Sequence, residues 1–300
     1  METILKSAHK TVIIGPEKPT VLIGERINPT GKKRLAAALS EGNLDIVRTE
    51  AEAQVEDGAD VLDVNVGATG VDEVDLLPKA VRLVMEMVKA PVCIDSANAE
   101  ALRAALAMHK ELAPQGKPLV NSVNGEEASL ERVLPLVADY RTAVIGLAMD
   151  DDGIPPTPEK RLAVVHKIVE RAEALGIPRE DVVIDCLALT VGADDSQAGR
   201  VTLETIRMVR EEVGVNMTLG ASNVSFGLPE REVVNWAFLA MAIQNGVNCP
   251  IVDAAKVRSA ILAADLLLGR DEYAMRYIKA YKKRHKKSGT VAPQADKKGQ

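Results

Sequence analysis

The chain has 300 residues, 47% of them hydrophobic and 27% charged, which suits one large or two small globular domains with an ample core. Aromatic residues make up only 2%, so stacking platforms for single-stranded nucleic acid are scarce. The net charge of −6 and pI near 5.4 argue against a general polyanion binder.

In chain order, residues 1–19 read as an N-terminal segment that caps the main domain. Eight short, β-branched apolar segments come next: Thr20–Glu25, Asp60–Asn65, Pro91–Asp95, Pro118–Ser122, Thr142–Leu147, Asp181–Cys186, Val215–Gly220 and Cys249–Asp253. Each has the length of a buried parallel strand. Helical patterns separate them. Leu44–Glu56 puts Ile46, Val47, Ala51 and Val55 on one stripe. Leu76–Val88, Ala99–His109, Leu130–Ala138, Glu159–Leu175, Thr202–Val213, Glu232–Asn245 and Val257–Lys282 continue the series. Pro158 and Pro229 sit at helical starts, and Gly58, Gly176, Gly214 and Gly246 follow helical ends.

Regular strand–helix alternation predicts a parallel sheet with right-handed crossovers. Eight such units over roughly 250 residues predict an α/β fold of the (β/α)8 TIM-barrel kind in a single domain. A doubly wound open sheet fits less well, since GxGxxG is absent. The barrel is expected over residues 20–284, with a polar, disordered C-terminal tail at 285–300. The basic end of the last helix, YKKRHKKSG, reads as a solvated helix terminus.

Cys93, Cys186 and Cys249 lie inside apolar runs and form no C-x-x-C pair. They read as reduced, packed thiols, and a cytoplasmic location is expected. The N-terminus METILKSAHKTVIIG lacks the apolar stretch of a signal peptide, and no run is long enough to predict a membrane span.

Barrel enzymes carry their chemistry at the C-terminal ends of the strands. Here those ends read Glu25-Arg26, Asp63 with Asn65, Asp95-Ser96, Asn121-Ser122, Gly146-Leu147, Asp185-Cys186, Ser222-Asn223 and Asp253. Any one Asp is open to reading as a helix cap, Asp95 above all. Asp63, Asp95 and Asp185 at equivalent strand ends call for a shared purpose, because apolar strands rarely end in buried acids without partners. A rim of acids and amides suits a heterocycle with several N–H donors and a carbonyl, such as an aminopyrimidinone. A hard divalent cation is the competing reading. No D-x-D-x-D loop is present, and His9, His109, His166 and His285 lie on the N-terminal segment or on helices, so no metal is expected to be bound by this chain.

The stretches GERINPTGKK (24–33), DVNVG (63–67), CIDSAN (93–98), VNSVNGE (120–126), IGLAMDDDGIP (145–155), VIDCL (183–187) and GASNVSFGLP (220–229) occur in order at strand ends. Together, over roughly residues 20–280, they resemble the methyltetrahydrofolate:corrinoid protein methyltransferases. The folate domain of cobalamin-dependent methionine synthase is similar, and dihydropteroate synthase is more distant. The resemblance implies methyltetrahydrofolate or tetrahydrofolate as substrate and a cobalamin (corrinoid) carried on a partner corrinoid protein. It also implies a homodimer, while the composition and hydropathy lead us to expect no nucleic-acid or membrane partner. It implies that Asp95, Asn121 and Asp185 hold the pterin edge and that Asn223 reaches N5, with Asn223 and Asp95 catalytic. Asp63 and Asn65 would line the pocket, Glu25 and Ser222 join the substrate-binding set, and Arg231 aligns loosely with a family arginine.

Two positions depart from the family pattern: Cys186 where proline is common, and Phe226 where glutamine is common. The strand-seven loop lacks the basic residues that would serve a pyrophosphate leaving group in a dihydropteroate synthase. A folate-binding subunit without turnover is the other alternative.

Overall fold

A computed structural model describes residues 1–192 and 196–287. The chain starts with an antiparallel hairpin of β1 (Thr3–Lys6) and β2 (Thr11–Ile14). Its inward residues Leu5, Val12 and Ile14 are buried. They pack with Val21, Ile23, Val61, Cys93, Leu119, Ala143, Ile145, Val183 and Cys249 in one cluster. Lys6 and Lys117 exchange backbone hydrogen bonds of 2.9 and 2.8 Å, and the Asn216 side-chain amide donates to Thr3 Oγ1 and Ile14 O. Lys117 and Asn216 precede strands, so the hairpin plugs the N-terminal end of the sheet.

Eight parallel strands come after the hairpin: β3 (Ile23–Ile27), β4 (Val61–Asn65), β5 (Val92–Asp95), β6 (Leu119–Asn124), β7 (Ala143–Leu147), β8 (Val182–Asp185), β9 (Met217–Thr218) and β10 (Ile251–Val252). They pair in sequence order, and β10 pairs back to β3. The remaining seam closes where Ile251 N donates to Leu219 O at 3.0 Å, beside a Gly220–Ile251 bridge. This is a (β/α)8 barrel.

Helices coat its outside: α1 (Lys33–Ser40), α2 (Asp45–Asp57), α3 (Glu73–Met87), α4 (Ala99–Leu112), α5 (Glu127–Tyr140), α6 (Pro158–Ala174), α7 (Ala198–Met208), α8 (Arg231–Asn245), α9 (Ala254–Leu267) and α10 (Met275–Lys287). Alternate strand residues such as Leu62, Val64, Ile94 and Val120 face them in the larger core cluster. Helix α1 has no counterpart in the periodicity reading. The continuous helix expected over Val257–Lys282 is interrupted. Gly269 turns the chain with φ +73° and Asp271 accepts from the backbone N–H groups of Arg276 and Tyr277 at 2.9 Å each, which starts α10 afresh. Buried Asp265 takes Thr20 N, Thr20 Oγ1 and Arg276, tying this turn to the start of the barrel. Residues 288–300, most of the expected disordered tail, lie outside the described residues.

Strand parity sets up the site. Side chains of a strand alternate faces. The parity that sends Val61, Cys93, Leu119 and Val183 into the barrel sends Asp63, Asp95, Asn121 and Asp185 in as the next layer, nearer the C-terminal mouth. Across neighbouring strands Asn65 registers with Asp95, and Asp95 with Asn121.

Candidate active site

Asp63, Asn65, Asp95 and Asn121 form one cluster across β4, β5 and β6. The Asn121 amide donates to Asp63 Oδ1 at 3.2 Å, and the Cys93 thiol hydrogen-bonds Asp63 from below. Asn65 bonds to Asp95 through its amide, while its own Oδ1 accepts Gly67 N at 2.7 Å, which fixes the rotamer. Asp63 is 2% exposed, and burial pushes its carboxyl well above the usual range, with the Asp95 carboxylate pushing it further. Burial also raises Asp95, to about 6, against hydrogen bonds from Asn65 and Asp63. The two acids face each other, so a charge on one disfavours a charge on the other, and burial acts most strongly on Asp63. Asp95 is not a helix cap: Asn98 caps α4, accepting from Glu100 N and Ala101 N.

Asp185 ends β8 on its own. Burial raises it to about 6, offset by the N–H groups of Leu187, at 2.7 Å, and Gly220, and by the charge of Arg161. Glu25 is also raised by burial and by Asp253, with Lys32 opposing, and both its oxygens lie 3.4 Å from Ser222 Oγ. Lys32 donates to the backbone oxygens of Glu25, Arg26 and Asn28, a hold on the β3 loop that sequence reasoning missed. Arg26 is clasped by Glu50 and Asp253.

Asn223 sits in the short helical turn Ala221–Ser225 and is exposed. Its backbone oxygen accepts from Thr190 Oγ1 and Phe226 N, each at 3.2 Å. Its side-chain amide makes no hydrogen bond among the described residues and lies over Gly220, where an added Cβ would come within 3.2 Å of Nδ2. Arg231 braces this loop: Nε donates to Ser225 Oγ at 3.0 Å, Nη2 donates to Ser222 O at 2.8 Å, and the guanidinium stacks 5.8 Å over Phe226. A cavity of about 510 Å³ opens beside the loop, lined by Glu25, Ser222, Arg231, Asn235, Asp253 and Lys256 among others. The structure thus gathers four candidates in one cluster, places Asp185 on a separate strand end, and puts Glu25, Ser222, Asn223 and Arg231 on the rim.

Among the described residues, no group of three or more His, Cys, Asp or Glu is placed to hold a metal ion. No described helix is long and apolar enough to cross a membrane.

The family described as pterin binding enzyme matches residues 24–253, a span that begins beside Glu25 and ends on Asp253. This chain belongs to the pterin-binding enzyme family. It is 32% identical over 272 residues to a methylcorrinoid:tetrahydrofolate methyltransferase of Eubacterium limosum, covering 87% of this chain and 96% of that protein. It is also 32% identical over 267 residues to a methionine synthase of Mycobacterium leprae (strain TN), covering 84% of this chain but only 22% of that longer protein. Among solved structures, a Yersinia pestis DHPS with a pterine-sulfa conjugate superposes with a TM-score of 0.64 at 15% identity, covering 90% of this chain and 99% of that one. A Xanthomonas albilineans dihydropteroate synthase in complex with 7,8-dihydropteroate gives 0.62 at 20% identity, covering 88% and 98%. At those identities the likeness is one of fold. The family expected from the strand-end motifs is the one found.

Proposed function

We propose that this pterin-binding enzyme is a methyltransferase that moves a methyl group between N5 of tetrahydrofolate and the cobalt of a corrinoid carried on a separate protein. The observation that carries the reading is the acid-and-amide layer of Asp63, Asn65, Asp95, Asn121 and Asp185 at the barrel mouth. The identity to the Eubacterium limosum methyltransferase along nearly its whole length supports it.

In this reading the carboxylates of Asp95 and Asp185 accept the ring N–H and exocyclic amine of the pterin, and Asn121 both donates and accepts. Burial raises both Asp63 and Asp95, and the charge of Asp95 raises Asp63 further, which disfavours two full charges in one buried layer. The free amide of Asn223 hydrogen-bonds N5. As the methyl passes to cobalt, the C–N electron pair stays on N5, which takes a proton from solvent to become N5–H, and a hydrogen bond donated by Asn223 to that growing electron density lowers the barrier only if it is stronger in the transition state than before it. An amide with no competing partner is free to turn toward that charge. The cobalt nucleophile arrives with the partner protein, which docks over the mouth, and the barrel supplies position and electrostatics.

A dihydropteroate synthase reading has the fold on its side. The rim opposes it. Its cavity presents Glu25 and Asp253, while Arg231 is spent on the loop and Lys256 lies 3.7 Å from Asp253. A pyrophosphate leaving group would meet like charge there. A homodimer belongs to the proposal as well: Val233, Trp236 and Met241 on α8 are exposed apolar side chains, and light scattering gives the mass that decides it.

Incubation with methyltetrahydrofolate and cob(I)alamin without oxygen tests the activity. Methylcobalamin absorbance is the expected result. Folate binding without that absorbance favours the subunit that binds but does not turn over.

A further inference from the structure

Arg161, near the start of α6, is 1% exposed, and burying a guanidinium so completely is costly unless its donors are satisfied. Here Nε donates to Pro155 O at 2.9 Å, and Nη1 donates to Cys186 O at 2.8 Å and Leu187 O at 2.9 Å. Thr202 of α7 lies 3.5 Å from Nη1 and itself donates to Leu187 O at 3.0 Å. One side chain therefore fastens three pieces: the loop after β7, the end of β8 and α7. The gripped residue Leu187 is left-handed, φ +61°, a conformation disfavoured for a leucine and kept only where the surroundings impose it. Its N–H is the group that donates to Asp185 Oδ1 at 2.7 Å.

We propose that Arg161 is a positioning residue for substrate recognition: by holding the carbonyls of Cys186 and Leu187 it sets the turn whose N–H aims the Asp185 carboxylate at the pterin. This rests on the pterin reading above. Its charge works in the same direction. Asp185 is raised by burial, and Arg161 is the cation that opposes the rise. Among the described residues, the other titratable groups linked to Asp185 are the thiols of Cys186 and of Cys249, the residue ahead of β10; burial pushes both up, so they stay neutral. With the guanidinium gone, the carboxyl protonates at higher pH and ceases to accept two donors.

The test compares the full-length protein with Arg161→Lys and Arg161→Gln. Thermal melting confirms folding, calorimetry gives the methyltetrahydrofolate Kd across pH, and carboxyl ¹³C shifts give the Asp185 titration without ligand. The lysine variant keeps the charge and loses the fork, so its Kd is expected to rise about tenfold with the acid limb in place. The glutamine variant is expected to weaken binding at least as much and to move both the acid limb and the Asp185 midpoint upward. Unchanged Kd in the lysine variant, or weakened binding with an unmoved Asp185 midpoint in a folded glutamine variant, overturns the proposal. If the glutamine variant does not fold, the lysine Kd decides alone. A wild type that binds no folate at any pH sinks the pterin reading, while the carboxyl titration still reports the Arg161–Asp185 coupling.

Discussion

The side-chain amide of Asn121 on β6 donates to Asp63 on β4 across 3.2 Å, over the top of β5. That contact, with Asp95 between the two strands, joins three strand ends into one layer of acids and amides. Acids held this way titrate abnormally, and the unliganded protein carries the cost.

Asp185 titrates near 6 when folded and near the ordinary aspartate value when unfolded. Between those values the folded state binds more protons, so its contribution is favourable at acid pH and is lost as pH rises through 6. Wild type should therefore lose up to about 3 kcal/mol relative to Asp185→Asn between pH 4 and 7, read by urea unfolding of the unliganded proteins. A difference that stays flat with pH contradicts the burial argument.

Arg231 lines the cavity and also braces the loop that carries Asn223, and we propose that it acts through the loop. Removing its two hydrogen bonds, to Ser222 O and Ser225 Oγ, frees the turn that carries Asn223. Arg231→Ala should cut kcat/KM for methyl transfer by about ten- to thirtyfold, while the Kd of a bare pterin, if the deep acids hold it as proposed, changes less than about threefold. Equal losses in both would place Arg231 against the ligand.

The hairpin plug is structural. Leu5 is fully buried in the inner cluster at the closed end of the barrel. Leu5→Ala should cost about 2–5 kcal/mol in unfolding free energy and leave folate affinity as it was. A large loss of affinity in the folded variant would mean that the plug shapes the mouth.

The strands were readable because each is a short apolar run, several ending in an acid or amide, and period two carries parity straight from Val61 to Asp63 and from Cys93 to Asp95. The family motifs then marked which of those ends are candidates for the chemistry. The hairpin escaped as a strand pair because its strands have four residues each and its turn, Ser7-Ala8-His9-Lys10, holds no glycine or asparagine. The break before α10 was hidden because Gly269 and Asp271 interrupt an otherwise helical pattern by tertiary contacts: Asp265 reaches Thr20 across the sequence. Arg161 was invisible for a similar reason. A charged residue on an amphipathic helix reads as solvent-facing, and only the fold reveals that three carbonyls wait for it.

Asn223 offers the most direct test, because its exposed side-chain amide makes no hydrogen bond within the described structure and its removal should cost the fold under about 0.5 kcal/mol. The measurement is anaerobic conversion of cob(I)alamin to methylcobalamin by methyltetrahydrofolate, wild type beside Asn223→Ala. Turnover is expected in the wild type, with a fall of about tenfold to a hundredfold in the variant and folate still bound. Equal turnover in both, or none in a wild type that binds folate and is supplied with its corrinoid protein, would contradict the methyl-transfer role of the strand-seven loop.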